Sequence, residues 1–373
     1  MATRPRIGMH TSIAGDCAQA LEIAHGLGCN ALQIFSGSPR MWPRPDSKGI
    51  APEVAERFRA RRAELGIGPL AIHANYLINL ASNDPFLWTR SVAAFRDEIV
   101  RGEALGAEFL ILHPGSSCGG EVAPAIARVA RGLLEAAQGF DGRRVRILLE
   151  NTAGQGFCVG CKLEELREIL DLCAADSSGP AMGVCLDTAH LFAAGYEIHT
   201  AEGLERTIEE IERVLGLARV HVIHVNDSKT AFGSRVDRHQ HMGRGEIGRE
   251  ALTRVLNHPR LRDAERAFLL ETPIDKRGDD RENVRALWEM MDPENIPVMR
   301  RGAGHRVIRD GFRKKKPTTA TTRKKPAGSR TQKSTRSKPR TRSTPVRAKR
   351  ASFAAARRKR SAAASPRKAK TRV

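Results

Sequence analysis

The segment FLILH, residues 109–113, is a run of four apolar side chains that ends on a histidine. Seven similar runs occur elsewhere: RIGMH (6–10), ALQIF (31–35), LAIHA (70–74), RILLE (146–150), GVCLD (183–187), VHVIH (220–224) and AFLLE (267–271). Short apolar runs without regular polar alternation are typical of strands that are buried on both faces, as in parallel sheets. The sequence therefore predicts eight strands of one parallel sheet.

Amphipathic segments separate most of these runs. In CAQALEIAHGLG (17–28) and CKLEELREILDLC (161–173), apolar residues recur three and four positions apart, which indicates helices. Eight strand-plus-helix units over about 270 residues match the size of a (β/α)8 barrel. We therefore predict an α/β protein with a TIM-barrel domain in residues 1–300.

Charge is distributed unevenly along the chain. Residues 301–373 hold 27 of the 63 Lys and Arg residues and one of the 42 acids, a net charge of +26, which leaves −5 for residues 1–300. This segment has no leucine and two aromatic residues, so it cannot bury enough apolar surface to offset chain entropy. We expect a disordered tail, whose charge density favours binding to nucleic acid over a solubilising role alone.

Cysteine usage and hydropathy bear on the compartment. The seven cysteines are scattered, no apolar run approaches the roughly 18 residues of a membrane span, and MATRPRIGMHTS has no signal-peptide pattern. We expect a cytoplasmic, nucleoid-associated monomer with reduced cysteines. Cys158 and Cys161 form a C-x-x-C pair, but no second pair accompanies them, which favours ordinary cysteines over a redox or zinc site.

Metal-binding side chains stand at the ends of six of the eight runs: His73, His113, Glu150, Asp187, His224 and Glu271. The carboxyl ends of all strands in a parallel barrel meet at one face, where the active site lies. One buried histidine is ordinarily structural, but six side chains in the same register predict a polynuclear metal site. Imidazole with carboxylate favours Zn²⁺, with Mn²⁺ or Fe as alternatives. Multinuclear centres of this kind commonly act in phosphoester displacement.

Further candidates follow two strand ends. His190 lies three residues after Asp187 in DTAH, and FGSRVDRHQHMGRGEIG (232–248) follows the seventh run. Taken alone, this loop reads equally as a metal clamp, a phosphate clamp or a solvated segment. Its place after a strand end favours the metal clamp, through Asp237 and His239, with His241 as the competing ligand. His10 is expected to support the ligands rather than to be one of them.

Longer motifs run through the same region, from about Arg6 to the early 290s. HANYLINLA (73–81), HPGS (113–116), ENTAGQG (150–156), GVCLDTAH (183–190) and HVNDSKTAFGSRVDRH (224–239) resemble the endonuclease IV family of AP endonucleases. The resemblance implies a TIM barrel with three zinc ions that cuts double-stranded DNA 5′ to an abasic site. The products would be a 3′-hydroxyl and a 5′-deoxyribose phosphate, and 3′-blocking groups would also be removed.

Site residues follow from this resemblance, position by position. It implies a first zinc held by His73, His113 and Glu150. Glu150 would bridge to a second zinc, completed by Asp187, His224 and Glu271, and the third would be held by His190, Asp237 and His239. Glu150 and Glu271 would be the catalytic carboxylates, and the aligned D-x-H pair selects His239 over His241. The family usually has cysteine where this chain has Ala189, a position outside the implied ligand set.

The family also inserts side chains into the duplex beside the lesion. By resemblance, Arg40 in SPRMW and the pair Tyr76 and Leu77 would do so here. Packing of the loop is the alternative role for Tyr76 and Leu77.

Two other classes of function compete with the nuclease. A sugar isomerase or epimerase shares the barrel and the position of the metals, but generally needs only one or two ions, so metal stoichiometry separates it from the nuclease. A non-catalytic DNA-binding protein would act through the tail alone, and the nine candidate ligands argue against it.

Overall fold

The computed structural model describes residues 4–13, 16–43, 49–140, 145–262 and 265–304. The predicted tail therefore lies outside the described residues, apart from its first four positions. No helix in the described part of the chain is long and apolar enough to cross a bilayer.

Eight parallel strands close into a barrel, which confirms the predicted fold. The strands are β1 (Arg6–Thr11), β2 (Ala31–Phe35), β3 (Leu70–His73), β4 (Phe109–Leu112), β5 (Arg146–Glu150), β6 (Met182–Asp187), β7 (Val220–His224) and β10 (Ala267–Leu270). Neighbours in sequence pair in order, and β10 closes the barrel between β7 and β1. Two short strands, β8 (Asp227–Ser228) and β9 (His239–Gln240), form an antiparallel pair in the loop after β7.

Helices surround the barrel and connect its strands. They are α1 (Cys17–Gly26), α2 (Pro52–Glu64), α3 (Pro85–Leu105), α4 (Val122–Ala137), α5 (Leu163–Ala174), α6 (Thr188–Ala194), α7 (Ala201–Val214), α8 (Arg249–Asn257) and α9 (Asp279–Met291). The longest, α3, shows how the sequence sets its bounds. Asp84 accepts a hydrogen bond from the Phe86 N–H at 2.9 Å, and Gly106 ends the helix in the left-handed region with φ 68°.

The barrel interior is filled by one apolar layer, made of Ala31, Ala71, Ile111, Leu148, Cys185, Val222, Ala267 and Leu269. On β1 the equivalent position is Gly8, where an added Cβ would lie 2.3 Å from the Ala31 carbonyl oxygen. Alternate strand residues such as Leu32 and Ile34 belong to the larger core between barrel and helices. Because side chains alternate along a strand, the residue two positions beyond each interior residue must point inward again. That next layer lies at the mouth.

Candidate metal centre

The inward layer at the mouth is polar on every strand. Two residues after Gly8, Ala31, Ala71, Ile111, Leu148, Cys185, Val222 and Leu269 come His10, Gln33, His73, His113, Glu150, Asp187, His224 and Glu271. We call these eight residues the polar ring. It brings together all six strand-end residues that the sequence singled out. It also contains Gln33, which the sequence pattern does not mark because the run ALQIF continues two residues past it.

Glu150 lies at the centre of the ring and is fully buried. Its Oε2 atom is 3.2 Å from His73 Nε2 and 3.5 Å from His113 Nε2. Its Oε1 atom is 3.0 Å from His224 Nδ1 and 3.4 Å from His190 Nδ1. The two oxygens of one carboxylate therefore face different sets of imidazoles.

The second group of possible ligands adjoins the first through Glu150. His224 Nδ1 lies 3.3 Å from Glu271 Oε2 and 3.9 Å from Asp187 Oδ2. One ligand atom from each of Glu150, Asp187, His224 and Glu271 fits within a 4.8 Å cluster. Cys185 also lies near Glu150 and His224, but burial raises the pKa of its thiol to about 12, so it is a neutral part of the apolar layer.

The third group joins the barrel to the loop after β7. His239 Nε2 lies 3.6 Å from Asp187 Oδ2 and 3.4 Å from Asp237 Oδ1. The other oxygen of Asp237 is 3.3 Å from His190 Nε2. The structure therefore places Asp237, His239 and His190 together at the mouth.

Asp227 holds this loop in place and was not singled out from the sequence. It is fully buried, and its carboxylate accepts hydrogen bonds from the N–H groups of Ser228 at 2.8 Å, Gly245 at 2.9 Å and Ile247 at 3.0 Å. Ser228 pairs with His239 in the β8–β9 ladder. The position of His239 thus depends on a buried carboxylate that lies outside the ligand set.

Asparagine amides orient the Asp187 and Glu271 segments. Asn226 donates to Asp187 Oδ2 at 2.6 Å and accepts the Glu271 N–H at 2.8 Å. Asn151 accepts the Asp187 N–H at 2.7 Å. These contacts hold the strand ends in the register that turns both carboxylates inward.

The electrostatics of the ring are dominated by buried carboxylates. Burial alone would raise the pKa of Glu150, but positive charge on His113 and His224 outweighs it and holds that pKa well below its usual range. For Glu271, burial is likewise outweighed, mainly by His224. The pKa of His190 is raised well above its usual range, because Asp187, Asp237 and Glu150 outweigh the opposing effect of burial. The pKa of His224 is likewise raised against burial, by its contacts with Cys185, Glu271 and Glu150. Without metal ions, protons bound to the histidines therefore balance the negative charge of the carboxylates.

A divalent cation fits this arrangement better than protons alone. The Nε2 atoms of His190 and His239 are buried without a hydrogen bond, although carboxylate oxygens lie 3.3 to 3.6 Å away. Two ligands of one tetrahedral zinc are expected about 3.3 Å apart, given metal–ligand distances near 2.0–2.1 Å. Among the described residues, every ion pair of Glu150 and Asp187 is with a histidine. Buried charges are normally paired or bound to metals, so this donor set fits zinc or manganese.

His241 belongs to a different cluster, with Asp275 and Asp279. Asn283 accepts the Met242 N–H through Oδ1, so its amide nitrogen faces His241 Nδ1 at 3.1 Å and donates to it. The proton of a neutral His241 must then be on Nε2, which lies 3.4 Å from Asp275 Oδ2. In this tautomer the N–H of His241 faces Asp275 and its lone pair accepts from Asn283, so the ring has no free nitrogen to bind a metal. His10 lies beside Glu271, with Nδ1 3.3 Å from Oε1.

Cys158 and Cys161 are free thiols, and burial raises the pKa of both. Neither belongs to a metal-binding group among the described residues.

Exposed apolar side chains stand on the loops around the mouth. Tyr76 is 58% exposed, and its ring packs edge-on against Phe35 with 5.2 Å between centroids. Leu77 is half-buried and Arg40 is exposed. Asn75, not singled out from the sequence, ties the two loops together, since its amide donates to the Ser38 and Met41 carbonyls at 2.7 and 2.8 Å. A cavity of about 380 Å³ between Tyr76 and the ring has the size of a small-ligand pocket.

The fold and the site define a member of the xylose isomerase-like TIM barrels, and the family model of that description matches residues 21–294. The chain is 49% identical over 284 residues to the probable endonuclease 4 of Solibacter usitatus, covering 76% of this chain and 95% of the relative. It also matches the crystal structure of endonuclease IV from Thermus thermophilus, with TM-score 0.67 and 41% identity. The match covers 78% of this chain and 100% of that one. The chain belongs to the endonuclease IV family, as its motifs predicted.

Sugar-converting barrels are related to this chain by fold alone. A D-tagatose 3-epimerase-like protein matches with TM-score 0.57 at 18% identity, covering 77% of this chain and 97% of that one. Such a likeness carries no information on the substrate.

Proposed function

We propose that this protein is a zinc-dependent AP endonuclease that hydrolyses the DNA backbone 5′ to abasic sites. Its enzyme class, a DNA-cleaving hydrolase, follows from the family. The observation that carries the proposal is the convergence of nine metal-binding side chains in three adjoining groups at one barrel mouth. The bond broken is P–O3′, and water supplies the new oxygen on phosphorus. The products are a 3′-hydroxyl and a 5′-deoxyribose phosphate, and the same chemistry removes 3′-blocking groups.

Each group of the centre would hold one of three zinc ions, with Mn²⁺ as an alternative. The first would be held by His73, His113 and Glu150, the second by Glu150, Asp187, His224 and Glu271, and the third by His190, Asp237 and His239. When bound, zinc acts as a Lewis acid that stabilises charge developing on the phosphoryl oxygens.

The chain's own contribution is to hold these ligand side chains in fixed positions. Glu150 and Glu271 are the proposed catalytic carboxylates, because both belong to the group that would hold the second zinc ion. Glu150 faces both of the first two groups, which supports a bridging role. Hydrogen bonds from Asn226 to Asp187 keep that carboxylate turned inward.

Recognition of the lesion would use the loops around the mouth. The exposed Arg40, Tyr76 and the half-buried Leu77 stand beside the cavity or on its connected loop. An apolar wedge can enter the gap left by a missing base, where turning out the nucleotide costs least. We propose that these three residues contact the duplex.

We further propose a division of labour between the two parts of the chain. Residues 1–300 form the catalytic domain, residues 301–373 bind undamaged DNA without regard to sequence, and the enzyme acts as a cytoplasmic, nucleoid-associated monomer. The net charge of −5 in residues 1–300 supports this division, because a long-range attraction to DNA must then come from the tail.

The test is incubation with a duplex that carries one abasic site, with an undamaged duplex as control, in the presence and absence of a strong chelator. We expect one nick 5′ to the lesion, slow loss of activity with chelator, and three zinc ions per chain by elemental analysis. Products ending in a 3′ unsaturated aldehyde would indicate a lyase and would exclude the proposal. One or two metal ions without nicking would instead favour a sugar-converting barrel.

A further inference from the structure

Gln33 is the one residue of the polar ring whose side chain is an amide. It is fully buried on β2, between His10 of β1 and the candidate ligands His224 and Glu271. The proposed mechanism assigns it no role. A buried amide in such a place must be explained by what it hydrogen-bonds.

The orientation of the Gln33 amide is fixed by its neighbours. Its nitrogen lies 2.5 Å from Glu271 Oε1, and only the nitrogen of an amide can donate to a carboxylate. Its oxygen, Oε1, therefore faces His224 Nε2, at 2.8 Å. A flipped amide would set oxygen against carboxylate and leave the imidazole without an acceptor.

This orientation determines which nitrogen of His224 can bind a metal. Because the amide oxygen only accepts, Nε2 of His224 must carry the proton. The lone pair of a neutral ring is then on Nδ1, the atom that lies 3.0 Å from Glu150 Oε1 and 3.3 Å from Glu271 Oε2. The same amide occupies Oε1 of Glu271, which leaves Oε2 turned toward His224.

We propose that Gln33 is a positioning residue that fixes the tautomer of His224 and the orientation of Glu271 for the second zinc ion. This inference rests on the proposed function, because it concerns the same centre. Partners that hold the second nitrogen of a ligating histidine typically change metal affinity about 10–100-fold when they are removed.

The experiment compares Gln33→Met with Ile34→Met. Methionine keeps the length of the glutamine but makes neither hydrogen bond. Ile34 is the next residue on β2, equally buried, and packs toward the helices, so it controls for the substitution itself. Zinc affinity is measured by competition with a chromophoric chelator. The absorption bands of Co²⁺-loaded protein report on ligand geometry, and thermal unfolding of metal-free protein reports on the fold.

For Gln33→Met we expect one of three zinc ions to bind about 10–100-fold more weakly, altered Co²⁺ bands, and a metal-free protein that is less stable but still unfolds cooperatively. Ile34→Met should keep wild-type affinity and bands. Gln33→Asn, whose amide is one methylene too short to reach both partners, should show the same loss of zinc affinity. It replaces Gln33→Met in the experiment if the methionine variant does not fold. Wild-type affinity and bands in a folded Gln33 variant would overturn the positioning role alone. Failure of the wild-type protein to bind zinc would instead overturn the proposed function.

Discussion

Glu150 is the residue on which the candidate centre most depends, because both of its oxygens face imidazoles of separate groups. Glu150→Gln would keep the shape of the side chain and remove one negative charge shared by two ions. We expect cleavage of abasic DNA to fall by several orders of magnitude while the barrel remains folded. Single-turnover cleavage, circular dichroism and metal analysis test this together. Near-normal cleavage with full metal content would contradict the assignment.

His241 provides the matched control at the same mouth. It lies two residues from His239, but its Nδ1 accepts from Asn283 and its Nε2 faces Asp275. His241→Ala should therefore leave three zinc ions in place and change the cleavage rate by less than about threefold, since the pair with the exposed Asp275 is of the weak, solvent-screened kind. A loss of one zinc from this variant would make His241, rather than His239, the ligand.

Metal loading should release protons, because histidine pKa values in the metal-free ring are raised. His190 and His224 are protonated below their raised pKa values, and zinc needs their neutral rings. Zinc affinity should therefore increase as pH rises toward those values and level off above them. Titration calorimetry in buffers of different ionisation enthalpy counts the protons. Binding that releases no protons at neutral pH would show that the ring is neutral before metal enters.

The ligands could be predicted from the sequence because strand ends in a barrel share one face. His73, His113 and Glu150 each end or nearly end an apolar run, so pattern alone places them at the mouth. Gln33 could not be recognised in the same way, since two apolar residues follow it. Its inward direction depends on the register of β2 against β1 and β3, which the run itself does not reveal.

At the scale of elements, the loop between β7 and α8 carries two of the nine candidate ligands, Asp237 and His239. Asp227 is its main support, through backbone N–H groups of Ser228, Gly245 and Ile247. Asp227→Ala would leave these buried donors unpaired, at about 1–3 kcal/mol for each group. We expect destabilisation of about 3 kcal/mol and loss of the zinc ion held by Asp237 and His239.

Denaturant unfolding and metal analysis measure both effects. Asp176→Ala is the control, because Asp176 also accepts a backbone N–H, from Ser178 at 2.8 Å, but is exposed. It should cost less than about 1 kcal/mol. Equal destabilisation by the two changes would show that the burial of Asp227 does not determine its contribution to stability.

The predicted strands agree with the structure to within one residue at all of their bounds, because apolar runs bounded by polar residues mark buried strands clearly. The β8–β9 pair was not predicted. Its strands have two residues each, too few for any periodicity. They are held by the side chain of Asp227, a residue of β8 whose carboxylate accepts the N–H groups of Gly245 and Ile247. The two successive helices α6 and α7 after β6 likewise depend on Gly195, which ends α6 with φ 102°.

At the scale of the whole molecule, the charge of the tail should govern contact with undamaged DNA. If the tail binds DNA, its net charge of +26 over residues 301–373 would release many condensed counterions. Deleting residues 305–373 should leave cleavage of a short, saturating abasic oligonucleotide almost unchanged. Binding to long undamaged DNA should weaken, and its dependence on salt should flatten.

A salt titration of both forms on the same long duplex tests this prediction. The full chain and the deletion should differ in the slope of log affinity against log salt. Equal slopes would show that the tail does not engage DNA, and would leave solubility or a protein partner as its role.

Closure of the barrel between its first and last strands has a consequence for biosynthesis. β1 pairs with β10, and His10 meets Glu271 across 261 residues of chain. At about 5–20 residues per second, a ribosome needs roughly 13 to 52 seconds to pass from one to the other. Throughout that interval one edge of β1 has no strand beside it, and the centre has no Glu271. The enzyme can therefore acquire its complete metal site only at the end of translation of the barrel, never during it.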